Sequence, residues 1–155
     1  MAETIDARLA SLGIHIPAQA KAAGNYVGAV VVHDLVFLAG QVPIESGVRR
    51  FIGKLGRELS VEQGQAAARL AAMNMLAHLK AACDGDLGRV ARCVRLTGYV
   101  NATDDFLDHP KVVNGASDLV VQVFGDAGKH ARSAVGMASL PSGVAVEIEG
   151  IFQLR

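Results

Sequence analysis

Arg132 opens a run of small and apolar residues, Ser133-Ala134-Val135-Gly136-Met137-Ala138. A guanidinium in such surroundings is costly unless a partner or a ligand answers it. Its planar fork matches a carboxylate, held by two parallel hydrogen bonds. Further on stands Glu147-Ile148-Glu149. On a strand, a spacing of two puts both carboxylates on one face. A glutamate shielded from water there has a raised pKa and can take and return a proton. Two arrangements are open. Arg132 grips a substrate carboxylate, or it pairs with a strand glutamate and both are structural.

Little else in the chain carries chemistry. Cys83 and Cys93 form no CxxC, and no HxxxH or HExxH occurs. Both thiols are expected to be free. His15, His33, His78, His109 and His130 are scattered and read as surface or turn residues. No GxSxG, P-loop or GxGxxG pattern is present. The cysteines and histidines show no metal-site spacing, so no metal is expected. Fifteen basic residues balance fifteen acidic ones, Arg49-Arg50 is the only adjacent basic pair, and there is no Trp. These counts argue against a nucleic-acid partner, which would call for a basic face or aromatic stacking platforms. The apolar stretch 29–40 is broken by His33 and Asp34 and cannot span a bilayer. The first residues, MAETIDARLASLG, carry acids early and read as an amphipathic helix rather than a signal peptide, so the expected location is cytoplasmic.

The elements that must position these groups follow from periodicity. The length and the 51% hydrophobic content fit one domain over 1–155. A short helix is expected over 3–13, with Ile5, Leu9 and Leu12 on one side. Pro17 and Gly24 frame a loop. Strands are expected at 26–33 and 35–40, joined by a His33-Asp34 turn, and then a glycine-rich loop over 41–59. Ser60 with Gln63 forms a capping box ahead of a helix over 61–83. Leu70, Met73, Ala77 and Lys80 mark its apolar line, widened by Ala66, Leu76 and Leu79. A strand is expected at 90–102. A second helix over 105–124 is capped by Thr103 or Asp104, and Pro110 inside that span suggests an irregular first turn with the regular helix starting near it. Strands 132–140 and 144–152 are expected as a hairpin about Pro141-Ser142-Gly143. This order predicts an α+β fold: a mixed sheet with two long helices on one face. The other face is apolar in places and is expected to be buried by oligomerisation, or else the two apolar strands are central and the N-terminal helix covers them.

Segment 130–151, HARSAVGMASLPSGVAVEIEGI, resembles the signature of the YjgF/RidA family: Ala-Arg-Ser at a strand start, a Leu-Pro turn, and a strand with Glu-Ile-Glu. GNYVGAV at 24–30 and LVFLAGQVPI at 35–44 are similar to two further family segments. The resemblance covers about residues 22–153, leaving 1–21 as an N-terminal extension. It implies a chorismate-mutase-like fold and a homotrimer with the other sheet faces inward and clefts between subunits. It also implies hydrolysis of reactive 2-imino acids or enamines to a 2-keto acid and ammonia, without a cofactor. Arg132 would bind the substrate carboxylate, and Glu147 would position or activate water. Tyr26, Gly40 and Asn114 would line the cleft. Two positions depart from the family pattern: Ala134 stands where Cys or Thr is common, and Ala39 where Ser is common. Both remove a polar contact.

Other readings of the same residues are a non-catalytic trimer that binds small keto or carboxylic acids, and an endoribonuclease or translation inhibitor. The neutral charge weighs against the second. A chorismate mutase would want several basic residues around a dicarboxylate.

Overall fold

A computed structural model of the protein describes residues 3–155; residues 1 and 2 of the expected extension lie outside the described part. The chain runs α1 (Ile5–Ser11), β1 (Ala29–Val32), β2 (Leu35–Gln41), β3 (Ile44–Glu45), β4 (Val48–Arg49), α2 (Val61–Ala82), β5 (Val90–Asn101), α3 (His109–Phe124), β6 (Ala131–Met137) and β7 (Val146–Leu154). Five strands form a mixed sheet in the order β1-β2-β7-β5-β6. Only β5 and β6 are parallel, because α3 crosses over between them. β3 and β4 make a separate small hairpin, whose Ser46-Gly47 turn has positive φ at both positions (50° and 79°), as a type I′ turn requires.

The expected terminal hairpin is not there. The Pro141–Gly143 turn forms, but β6 and β7 are not neighbours, since β5 lies between them. The parallel crossover sends β6 to the outer edge of β5. The slot between β2 and β5 is then left for β7, which pairs antiparallel with both. Strict alternation along β7 suits this central place: Val146, Ile148, Gly150, Phe152 and Leu154 are buried, and the residues between them only partly so.

The two long helices cover one face of the sheet. α2 starts at the expected capping box, with Ser60 Oγ accepting from Gln63 N at 3.2 Å and Gln63 Oε1 accepting from Ser60 N at 2.9 Å. Its buried line matches the expected one only in part. Leu76, Ala77 and Leu79 are buried as expected and Ala67, Ala68, Ala71, Ala72 and Met75 join them, whereas Leu70, Met73 and Lys80 are only partly buried and Ala66 is exposed. In so alanine-rich a helix hydropathy has little contrast, and the small side chains that let the helix approach the sheet decide the face. α3 begins at His109 with Pro110 in its first turn. Its cap residue is Asp108, without a side-chain bond; Thr103 instead donates to Asp105 at 2.7 Å. In α1, Leu9 is buried but Leu12 is 47% exposed, and Ile14 beyond the helix takes the inner place. Cys83 and Cys93 are buried and free.

On the uncovered face, Val30, Phe37 and Ile151 lie in register across β1, β2 and β7, with Val30 and Phe37 exposed. Tyr99, Glu147 and Glu149 share that face, alternating with buried Val100 and Ile148. Among the described residues no helix is long and apolar enough to cross a membrane.

Candidate active site in two halves

Arg132 sits near the start of the edge strand β6, opposite Leu96 of β5. Its side chain turns to the helix-covered face. Nη1 donates to Asn114 Oδ1 at 2.8 Å and to Ser117 Oγ at 3.1 Å, both on α3, and Nη2 reaches Pro110 O at 3.4 Å. Asn114 and Ser117 are three apart, so one helix face presents both to the guanidinium. Ser117 is itself held by His130. The His130 Nδ1–H donates to Gly128 O at 2.6 Å, which leaves Nε2 to accept the Ser117 hydroxyl at 3.0 Å. This tautomer is assigned from the network. Arg132 Nε has no partner among the described residues, so one edge of the fork stays available to an anion. Neither strand glutamate bonds to Arg132, which removes the structural ion pair left open by the sequence.

Glu147 lies on β7, opposite Tyr99 of β5 and on the uncovered face. It lines a recess of about 190 Å³ together with Tyr26, Gly40, Arg49 and His78. Gly40 is needed there, since a Cβ on it would stand 2.0 Å from Glu147 Oε1. A register shift between Leu38 and Gln41 opens β2 at this point. The chain beyond is pinned by Asn74 of α2, whose Nδ2 donates to Val42 O at 2.9 Å and Ile44 O at 3.0 Å. Glu147 has no hydrogen-bond partner among the described residues. Partial burial, and behind it the charge of Glu149, pushes its carboxyl up from the ordinary value. Glu149 is placed differently. It accepts from the Tyr99 hydroxyl at 2.9 Å and lines another hollow with Phe37 and Arg95.

The five residues expected from the sequence thus fall into two groups. Arg132 and Asn114 are joined on one face, and Tyr26, Gly40 and Glu147 share a recess opening on the other. β5 separates the strands that carry Arg132 and Glu147, and strands lie ~5 Å apart. Within one subunit no small ligand spans both groups. Ala134 faces α3 two residues past Arg132, and Ala39 N bonds to Gly28 O at 2.9 Å beside the recess; neither offers a side-chain hydrogen bond.

Three residues near the site were not singled out by sequence. Ser117 lies one turn from Asn114, a spacing that could have revealed it. Arg49 reaches the recess only because the β3–β4 hairpin folds over it. His78 was expected at the surface and is instead 7% exposed, a buried position on α2. Its three-residue step from Met75 was the available signal. At the other end of the glycine-rich loop, Lys54 Nζ donates to Asn101 Oδ1 at 2.8 Å, to Ala102 O and to Ala138 O. That partly buried tether fixes the loop and so the hairpin.

Comparison with known proteins identifies the family and the fold. A family model described as "YjgF/chorismate mutase-like, putative endoribonuclease" matches residues 6–146. Protein TCP17 of Trypanosoma cruzi is 44% identical over 97% of this chain and 94% of its own. A crystal structure from Shewanella oneidensis, described as a "putative endoribonuclease", is 36% identical with a TM-score of 0.94, covering 98% of this chain and 100% of that one. The YjgF gene product of E. coli is 28% identical with a TM-score of 0.63, covering 89% and 94%. With a mixed sheet backed by two long helices and a family model matched over residues 6–146, this chain belongs to the YjgF family.

Proposed function

We propose that the protein is a hydrolytic deaminase of reactive 2-imino and enamine acids, working in clefts between the subunits of a cytoplasmic homotrimer. The observation that carries this reading is the division of the site. A preorganised cation on one face of the sheet and a free carboxyl on the other can meet across an interface between copies. A closed ring of three would make three such meetings and cover the apolar strip of Val30, Phe37 and Ile151. In the reaction, the substrate carboxylate binds Arg132 through the open edge of its fork. Glu147 orients a water and takes its proton as the oxygen bonds to C2. The C=N π electrons pass to nitrogen, which takes that proton back from Glu147 to give a carbinolamine. Its hydroxyl proton then moves through Glu147 to nitrogen as the C–N bond breaks, releasing ammonia and leaving the keto oxygen. Every proton is accounted for without a cofactor.

The test is an amino acid oxidase assay that generates imino acids in situ and follows keto acid and ammonia release with and without the protein. Faster release of both supports the reading; unchanged release ends it. Sedimentation belongs beside it, because a stable monomer at micromolar concentration would leave the two half-sites apart.

Ala39 and Ala134 favour a second reading, a non-catalytic trimer that holds keto or carboxylic acids through Arg132. Pyruvate or 2-oxobutanoate binding without imine turnover would select it. The endoribonuclease label of the relatives is tested by RNA cleavage at varied salt.

A further inference from the structure

His78 stands out against its own helix. Its neighbours on the buried side of α2 are Ala71, Ala72, Met75 and Leu79, all fully buried and apolar. The imidazole is 7% exposed and has no hydrogen-bond partner among the described residues. No fully enclosed side-chain nitrogen or oxygen in the described part lacks a partner. The ring nitrogens therefore keep contact with solvent, and the openings they reach are the Glu147 recess and the hollow adjoining it, both of which His78 lines. Gly28 makes this possible: a Cβ there would stand 2.1 Å from His78 Nδ1. The ring edge thus lies directly beneath the segment that carries Tyr26. A polar ring set on an otherwise apolar helix face is costly unless something answers it, and in the recess that is water or a ligand that displaces it.

We infer that His78 is a specificity-determining residue of the Glu147 recess, hydrogen-bonding a polar group on the substrate's side chain. The inference rests on the deaminase reading. Arg132 and Glu147 act on the carboxylate and the C2 carbon, which all 2-imino acids share. What distinguishes one imino acid from another is its side chain, and His78 is a polar group in the recess that neither step uses. A neutral imidazole offers one donor and one acceptor, which suits a hydroxyl or an amide that can do the same. Burial lowers the pKa of His78 and so favours this neutral form. The substrate class is then imino acids with a hydroxyl or amide side chain, in preference to aliphatic ones.

The test uses a near-isosteric pair, imino acids generated in situ from homoserine and from norvaline, which exchange a hydroxyl for a methyl. The intact protein is expected to favour the homoserine product about tenfold in kcat/KM, the value of one modest hydrogen bond. His78→Leu should lower kcat/KM for the homoserine product about tenfold and for the norvaline product about twofold or less. His78→Gln, which keeps a donor and an acceptor, should restore most of the preference. A parent without preference, or a Leu variant that loses both substrates equally, overturns the inference. Should the Leu variant not fold, NMR of the His78 ring in the parent decides. Its signals should move with the keto acid from homoserine and stay with that from norvaline; equal movement or none overturns the inference. If the parent hydrolyses neither imino acid the deaminase reading falls, and the ring signals alone decide whether His78 reads a polar side chain.

Discussion

On one face of the sheet, Arg132 is clamped by Asn114, Ser117 and the Pro110 carbonyl, with His130 holding Ser117 from behind. On the other, Glu147 projects into a recess with no partner and a raised pKa. The contrast separates two tasks. A group that recognises a permanent charge gains from being fixed before the ligand arrives, because no ordering is left to do on binding. A group that must take and return a proton is better left unpartnered, since a standing hydrogen bond to its charged form would lower its pKa and its basicity. Glu149, two residues along the same strand, has in Tyr99 the fixed partner that Glu147 lacks.

The sharpest way to break this comparison is at Arg132. Arg132→Ala should remain folded, because β6 is an edge strand and Arg132 is only partly buried. It should lose roughly thirty- to a thousand-fold in kcat/KM, about 2–4 kcal/mol, with Arg132→Lys between. Keto acid binding and imine turnover check both. Parent-like activity in the alanine variant would make the clamp structural.

Glu147→Gln should keep ligand binding and lose about a hundred-fold in kcat, the lower end for a lost acid–base group. It also has a signature in stability. The folded carboxyl holds its proton to higher pH than the unfolded one. Between the two pKa values the native state therefore binds more protons, and stability falls as pH rises through that window and stays lowered above it. The glutamine variant should melt higher than the parent at neutral pH, with the difference shrinking below the ordinary carboxylate pKa. Thermal scans across pH read this directly; an unchanged difference would mean that Glu147 is not strained by burial.

Gly40→Ala sharpens the comparison without touching a titrating group. The added methyl meets the flexible end of Glu147, so the fold should hold while the carboxylate is pushed aside. A loss of about tenfold in kcat with ligand binding retained is expected, in the range of a partly misplaced acid–base group. The smallest effect is expected at Glu149→Gln, where an amide oxygen can still accept from Tyr99. A change in kcat/KM within about threefold is consistent with one retained hydrogen bond; a loss matching Glu147→Gln would erase the distinction between the two carboxylates.

Much of this was legible in the sequence, and the failures share a cause. The capping box of α2, the His33-Asp34 turn and a regular α3 beginning near Pro110 are local signals, and they hold; the cap expected at Thr103 or Asp104 lies at Asp108 instead. Arg132 and Glu147 stood out because charge in an apolar strand is conspicuous. What could not be read was adjacency. The Leu140-Pro141 turn looks like a hairpin tip whether or not its strands pair, and only the parallel crossover decides otherwise. His78 was misplaced because an alanine-rich helix leaves the buried face unmarked. Arg49 is brought to the recess by a type I′ turn several residues away from anything it touches.

The sheet order also has a consequence for biosynthesis. β7 follows every other strand in the chain yet occupies the middle of the sheet, bonded to β2 on one side and β5 on the other. While residues 146–154 are still unmade or inside the ribosome, the β1–β2 hairpin and the β5–α3–β6 unit have no shared edge. Two partial sheets with open, apolar margins must wait for the strand that joins them, a state exposed to misassembly. Folding of this sheet should therefore wait until β7 has left the exit tunnel. A stalled nascent chain lacking β7 should remain sensitive to protease, and one with β7 clear of the exit tunnel should become resistant in a single step.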